Sequence, residues 1–165
     1  AIYPQFGYAH KMAVADGITY VPYGKVGVRI LSISEQGELA PIARWPLAGP
    51  VEASAVGGRY LYLALGKAGV QVGGVGDPLA PQLVSQIAVP GDAVDLALAG
   101  DYLLIAAGKA GLRIFDVRDP IHPVEAGFYQ TLDDARSVTL VDGVIYVADN
   151  LGGLFMLSFA PLQGE

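Results

Sequence analysis

Gly108 to Pro120 reads GKAGLRIFDVRDP. The same punctuation stands 42 residues earlier, at Gly66 to Pro78, as GKAGVQVGGVGDP, and 42 earlier again, at Gly24 to Gln36, as GKVGVRILSISEQ. Moving 42 residues forward gives NLGGLFMLSFAPL, Asn150 to Leu162. A fixed period of about 40 residues is the mark of a repeat architecture, in which each unit buries its apolar face against the next.

The third copy shows what one unit is made of. Ala93 to Ala99 (AVDLALA) is a short apolar run, and Gly100-Asp101 is a two-residue turn. Tyr102 to Ala107 (YLLIAA) is a second run, closed by the glycine-bracketed turn GKAG. Leu112 to Val117 (LRIFDV) is a third, RDPIHP is a proline turn, and Val124 to Tyr129 (VEAGFY) is a fourth. Short runs split by turn residues at this spacing predict a four-stranded antiparallel meander. The first turn recurs as Asp16-Gly17, Gly58-Arg59 and Asp142-Gly143, which are hairpin pairs. Helical repeats are poorly supported, because each run is only about six residues long and the glycine and proline spacing would break a helix every turn.

Meanders repeated at this period predict a small all-β propeller of four blades, one meander per blade. The units are residues 9–50, 51–92, 93–134 and 135–159, and residues 1–165 form a single domain. The fourth unit ends after its third strand. Ile2-Tyr3-Pro4 falls in phase with Arg44-Trp45-Pro46, so residues 1–8 are expected to supply the outermost strand of the last blade. Closure of this kind removes an open sheet edge.

Composition agrees. Hydrophobic residues make up 53% and charged residues 16%, and mean hydropathy is +0.44. Yet no run approaches the ~18 apolar residues of a membrane helix. Strands buried on both faces explain the excess. A net charge of -6 argues against nucleic acid, which selects clustered basic surface. The absence of cysteine excludes disulfides and thiolate chemistry. The chain begins at Ala1 with no charged-then-apolar leader, as a mature or excised product would.

The segments Leu112 to Pro120 (LRIFDVRDP) and Ile145 to Asp149 (IYVAD) resemble the LVIVD-repeat family of β-propellers, whose repeat core reads roughly YVAD…GLRVVDVSDP. The resemblance implies a propeller often secreted or surface-associated in microbes, and no particular reaction. The second copy departs from the pattern: Gly73-Gly74 stands where the third has Phe115-Asp116. Glycine there lowers packing volume, so that blade is expected to be thin or closely approached by a neighbour.

Three groups of residues are candidate sites. In a propeller the innermost strands line a central channel. Phase places His10, Glu52, Val94 and Arg136 at their start, then Lys11, Ala53, Asp95 and Ser137, with Asp92, Asp133 and Asp134 just before. These polar residues are expected to crowd one channel mouth, as a ligand site or as an ordinary solvated rim. Lys11 and Arg136 oppose a cation, and calcium needs six to eight oxygens, so no metal and no cofactor is called for. A triad of Ser137, His10 and Asp95 lacks a nucleophile-elbow context. His122, between Pro120 and Pro123, reads as a turn residue. The turn lysines Lys25, Lys67 and Lys109 form a second group, able to attract an anion or simply solvated. Tyr3, Trp45 and Tyr129, in phase with Ile87 on the outermost strands, form a third: a rim for a protein partner, or packing over their own blade.

The sequence therefore points to a non-catalytic binding or scaffold module, in a surface or secreted assembly if the family resemblance holds. The alternatives are a channel-centred ion-dependent hydrolase and half of an eight-bladed ring made by a swapped homodimer. On the binding reading, Asp95→Ala and Glu52→Ala leave the protein folded.

Overall fold

The computed structural model describes residues 9–159. Every regular element among them is a strand. The first sheet runs β1 (Ala13–Ala15), β2 (Ile18–Pro22), β3 (Val28–Ile33) and β4 (Leu39–Trp45) in that order. The second is β5 (Ala53–Gly57), β6 (Tyr60–Ala64), β7 (Val70–Gly74) and β8 (Gln82–Ile87). The third is β9 (Asp95–Ala99), β10 (Tyr102–Ala106), β11 (Leu112–Asp116) and β12 (Val124–Tyr129). The fourth has three strands: β13 (Ala135–Val141), β14 (Val144–Asp149) and β15 (Gly153–Ser158). All pairs within a sheet are antiparallel neighbours in sequence, as the hairpin turns require.

The repeat extends to irregularities. The third-to-fourth strand pairing slips between Ile30 and Leu31, between Val72 and Gly73, and between Ile114 and Phe115. These are the same repeat position three times, and each bulge bends the outer strand.

The sheets stack face to face, and each core cluster sits at a junction between two of them. Tyr20, Val28 and Ile30 meet Leu61, Leu63 and Val75 between the first and second. Tyr62, Val72 and Ile87 meet Leu96, Phe115 and Val117 between the second and third. Leu104 and Leu112 meet Val138, Ile145 and Val147 between the third and fourth. Second strands of the first three sheets are therefore buried on both faces, as along all of β10, whereas β14 of the fourth alternates and the outer β12 is largely exposed. That division explains a hydropathy high for so short a chain.

The glycine turns join one sheet to the next. Gly24, Gly66 and Gly108 bridge to Val51, Ala93 and Ala135, the first residues of the following unit. The second glycine of each turn is obligatory. Gly27, Gly69 and Gly111 hold φ of 92°, 78° and 74°, and a Cβ on any of them would strike the carbonyl oxygen of Trp45, Ile87 or Tyr129.

The expected closing strand, with Tyr3, lies outside the described residues. Among the described residues no strand pairs with the outer edge of β15.

Candidate functional site

The inner strands β1, β5, β9 and β13 lie side by side. Lys11 bridges Ala53 in a parallel sense, and the Ser54 amide donates to the Lys11 carbonyl at 3.0 Å. Phase alone puts Lys11, Asp95 and Ser137 at one level, and the structure brings them into contact. The Lys11 ammonium lies 2.8 Å from Asp95 Oδ1. It also donates to the Leu96 carbonyl at 2.9 Å and the Val138 carbonyl at 3.4 Å. Asp95 is 5% exposed. Its Oδ1 accepts the Leu96 amide at 2.8 Å, and its Oδ2 accepts the Ser137 hydroxyl at 2.7 Å and the Val138 amide at 3.0 Å. A buried carboxylate needs this much compensation. The cluster ties the first, third and fourth sheets together across the axis.

The rest of the expected mouth cluster separates into pairs. His10 Nδ1 stands 3.7 Å from Glu52 Oε2. Arg136 holds Asp134 at 2.6 Å, and the exposed Asp92 lies with Asp134 around Gly108. Asp133 is drawn away toward the β14–β15 turn, where its Oδ2 accepts from Asn150 Nδ2 at 3.1 Å and the Leu151 amide at 3.3 Å. The imagined triad is not formed: Ser137 donates directly to Asp95, and His10 turns to Glu52 instead. Among the described residues no three His, Asp or Glu side chains converge as metal ligands would.

Beside Lys11 lies an open recess of about 330 Å³ whose lining includes Met12, Val14, Val56, Leu98, Thr139 and Leu140. Lys11 and Ser54 stand at its edge.

The other two expected groups are differently placed. Lys25, Lys67 and Lys109 are exposed at the tips of the glycine turns. Trp45 is half-buried with its ring over Gly73 of the second sheet, so the glycine in that copy is the space the indole needs. Ile87 is buried, while Tyr129 is 41% exposed and packs against Phe155, with ring centroids 5.7 Å apart. His122 belongs to its own turn, Nδ1 lying 2.9 Å from Asp119 Oδ2 on an exposed loop. That hydrogen bond, with the Ile121 amide, holds the Asp119 carboxyl below its usual range.

Sequence reading passed over Asp149. It is 3% exposed; one oxygen accepts the Asp133 amide at 2.8 Å, and the other has no partner among the described residues. The signal was present: its repeat equivalents Tyr23, Leu65 and Ala107 carry no charge. Reading also missed the tyrosine pair Tyr60 and Tyr62, one face of β6. Burial, then the neighbouring Tyr60, pushes the Tyr62 phenol up to about 12.

Residues 90–131 match the LVIVD repeat family. No curated protein matches the chain. Among solved structures, the computationally designed Ika4 protein is similar with a TM-score of 0.74 at 10% identity, covering 97% of this chain and 96% of that one. The computationally designed Ika8 protein is similar at 0.69 and 12% identity over 94% of this chain and 47% of that one. A chain of the mitotic checkpoint complex is similar at 0.72 and 13% identity over 90% of this chain and 46% of that one. The chain thus spans about half the length of the last two. At such identities the likeness concerns fold alone. Taken with four stacked antiparallel sheets in 42-residue register, these matches make residues 90–131 an LVIVD repeat carried on a propeller-like all-β fold.

Proposed function

We propose that the chain is a non-catalytic β-propeller binding or scaffold module, a ring of four blades whose last is completed by residues 1–8. The observation that carries this reading is the Lys11–Asp95 cluster. Both carboxylate oxygens of Asp95 are taken up by Lys11, Leu96, Ser137 and Val138. Those groups hold inner strands together, and a carboxylate so engaged is a poor ion ligand or general base. Partner contacts then fall to the outer surface, where Val124, Phe128, Tyr129, Leu132, Leu154 and Met156 are exposed. Apolar and aromatic side chains of this kind anchor protein interfaces. A secreted or surface setting is part of the same proposal and rests on the family resemblance.

A second reading has its own support. Among the described residues the fourth sheet has three strands where the others have four, and the chain covers about half of two similar structures. Exchange of terminal strands between two copies would give a larger ring with the same local pairing.

Native mass spectrometry with metal analysis separates the readings. A mass of one 17.2 kDa chain, with no stoichiometric divalent ion and a Tm indifferent to EDTA, is the expected result. A two-chain mass that dissociates when residues 1–8 are deleted favours the exchanged dimer. A retained divalent ion whose removal lowers Tm revives the ion-dependent hydrolase and ends the scaffold reading.

A further inference from the structure

The first two sheet junctions carry the same cleft at the hairpin-turn end of the stack, and the middle one is the wider of the two. Between the first and second sheets its position is a 270 Å³ recess, where the Arg59 guanidinium lies over Gly76. Between the third and fourth, Phe159 packs edge-on against Tyr102, with centroids 5.5 Å apart. Between the second and third, the equivalents of Arg59 and Gly76 are Asp101 and Arg118. Arg118 turns outward to Asp116, its Nη2 donating at 2.6 Å and its Nε at 2.9 Å. The cleft widens to about 380 Å³.

Its walls are chemically specific. Tyr60 and Tyr62 project from β6, with Leu98 and Val117 opposite and the Gly57-Gly58 and Gly100 turns at the lip. Tyr62 is 3% exposed overall and lines the cavity. Its raised pKa keeps it a neutral O–H donor at any physiological pH. Arg118 is neutralised by Asp116, and Asp101 beside it leaves the lip with one uncompensated negative charge. The far side is fixed, because the Ser85 hydroxyl donates to the Pro120 carbonyl at 2.6 Å, locking the loop of the third sheet onto the second. The cleft is therefore preformed, aromatic on one wall and without an unpaired cation among its lining residues, at the small end of the ligand-pocket range of about 300–1,000 Å³.

We propose that the cleft between the second and third sheets binds one ring of a neutral polyhydroxylated ligand, the monosaccharide class. Tyr60 gives an aromatic wall for the ring, Tyr62 donates to one hydroxyl, and Asp101 accepts from others. An anion is disfavoured by Asp101 and by the engagement of Arg118 with Asp116.

The test uses the full chain, isotopically labelled, titrated to tens of millimolar with glucose, galactose, mannose and N-acetylglucosamine, and separately with inorganic phosphate. At least one sugar is expected to shift the amide resonances of Gly57, Gly58, Gly100 and Arg118 in a saturable way. Tyr62→Phe keeps the ring and should weaken that sugar about fivefold, the worth of one neutral hydrogen bond. Asp101→Asn, on the exposed lip, should weaken it without altering Tm. The proposal is overturned if no sugar moves these amides, if phosphate moves them more than any sugar, or if neither substitution changes the affinity.

Discussion

Replacing Asp95 with alanine should destabilise the fold more than any other single change at the channel end. The side chain is 5% exposed and receives the Leu96 and Val138 amides, the Ser137 hydroxyl and the Lys11 ammonium. Removing one member of a buried ion pair costs about 3–5 kcal/mol. Here the ionic share is smaller, since the Lys11 side chain is 44% exposed and can rehydrate. Ser137 is exposed too and can turn to water. The lasting cost is the stranded buried amides, at about 1–3 kcal/mol each. We arrive at about 3–4 kcal/mol. For a chain of this length, about 2–4 °C per kcal/mol gives a fall in Tm of about 6–16 °C. Lys11→Met should cost only about 1 kcal/mol, because Asp95 keeps its three neutral donors. Thermal unfolding followed by circular dichroism measures both. The clasp is refuted if Asp95→Ala lowers Tm by less than about 2 °C, or if Lys11→Met is equally damaging. The sequence suggests that Asp95→Ala leaves the protein folded; burial changes that expectation to folded but clearly weakened.

Other consequences are equally direct. Gly69→Ala and Gly111→Ala force a Cβ into a neighbouring carbonyl at positive φ and should each cost more than about 1–2 kcal/mol; Gly66→Ala meets open space and should cost distinctly less in the same denaturant titration. Trp45→Ala empties the space over Gly73 and should cost about 3 kcal/mol, so loss of a partner in this variant has to be read against its Tm, whereas Tyr129→Ala, more exposed, should leave Tm nearly unchanged. The folded-state pKa of Tyr62 is raised from 10.0 to about 12, so its contribution is fully present below pH 10, lost as pH rises through 12, and absent in Tyr62→Phe. Phenolate absorbance against pH measures it, and a Tyr62 ionising with the exposed tyrosines would contradict the buried placement.

The fold was legible because its information is local and repeated. A hairpin turn, a glycine turn and a proline turn recurring every 42 residues fix strand number and order, and the strands observed in the third copy lie within one or two residues of those read from AVDLALA, YLLIAA, LRIFDV and VEAGFY. Phase also placed Lys11, Asp95 and Ser137 on one level. It could not tell that Lys11 would cross the axis to Asp95 while Asp133, one repeat position from Asp134, would leave for the loop of Asn150. That choice depends on side-chain reach and on which backbone amides lie free, and both are set by the stacking of sheets far apart in sequence. The clefts show the same division. Gly76, Arg118 and Phe159 are single letters in otherwise equivalent turns. Whether each closes or opens a junction depends on the side chain that meets it, Arg59 or Asp116 from its own sheet and Tyr102 from the neighbouring one, because such contacts are three-dimensional and the period alone does not encode them.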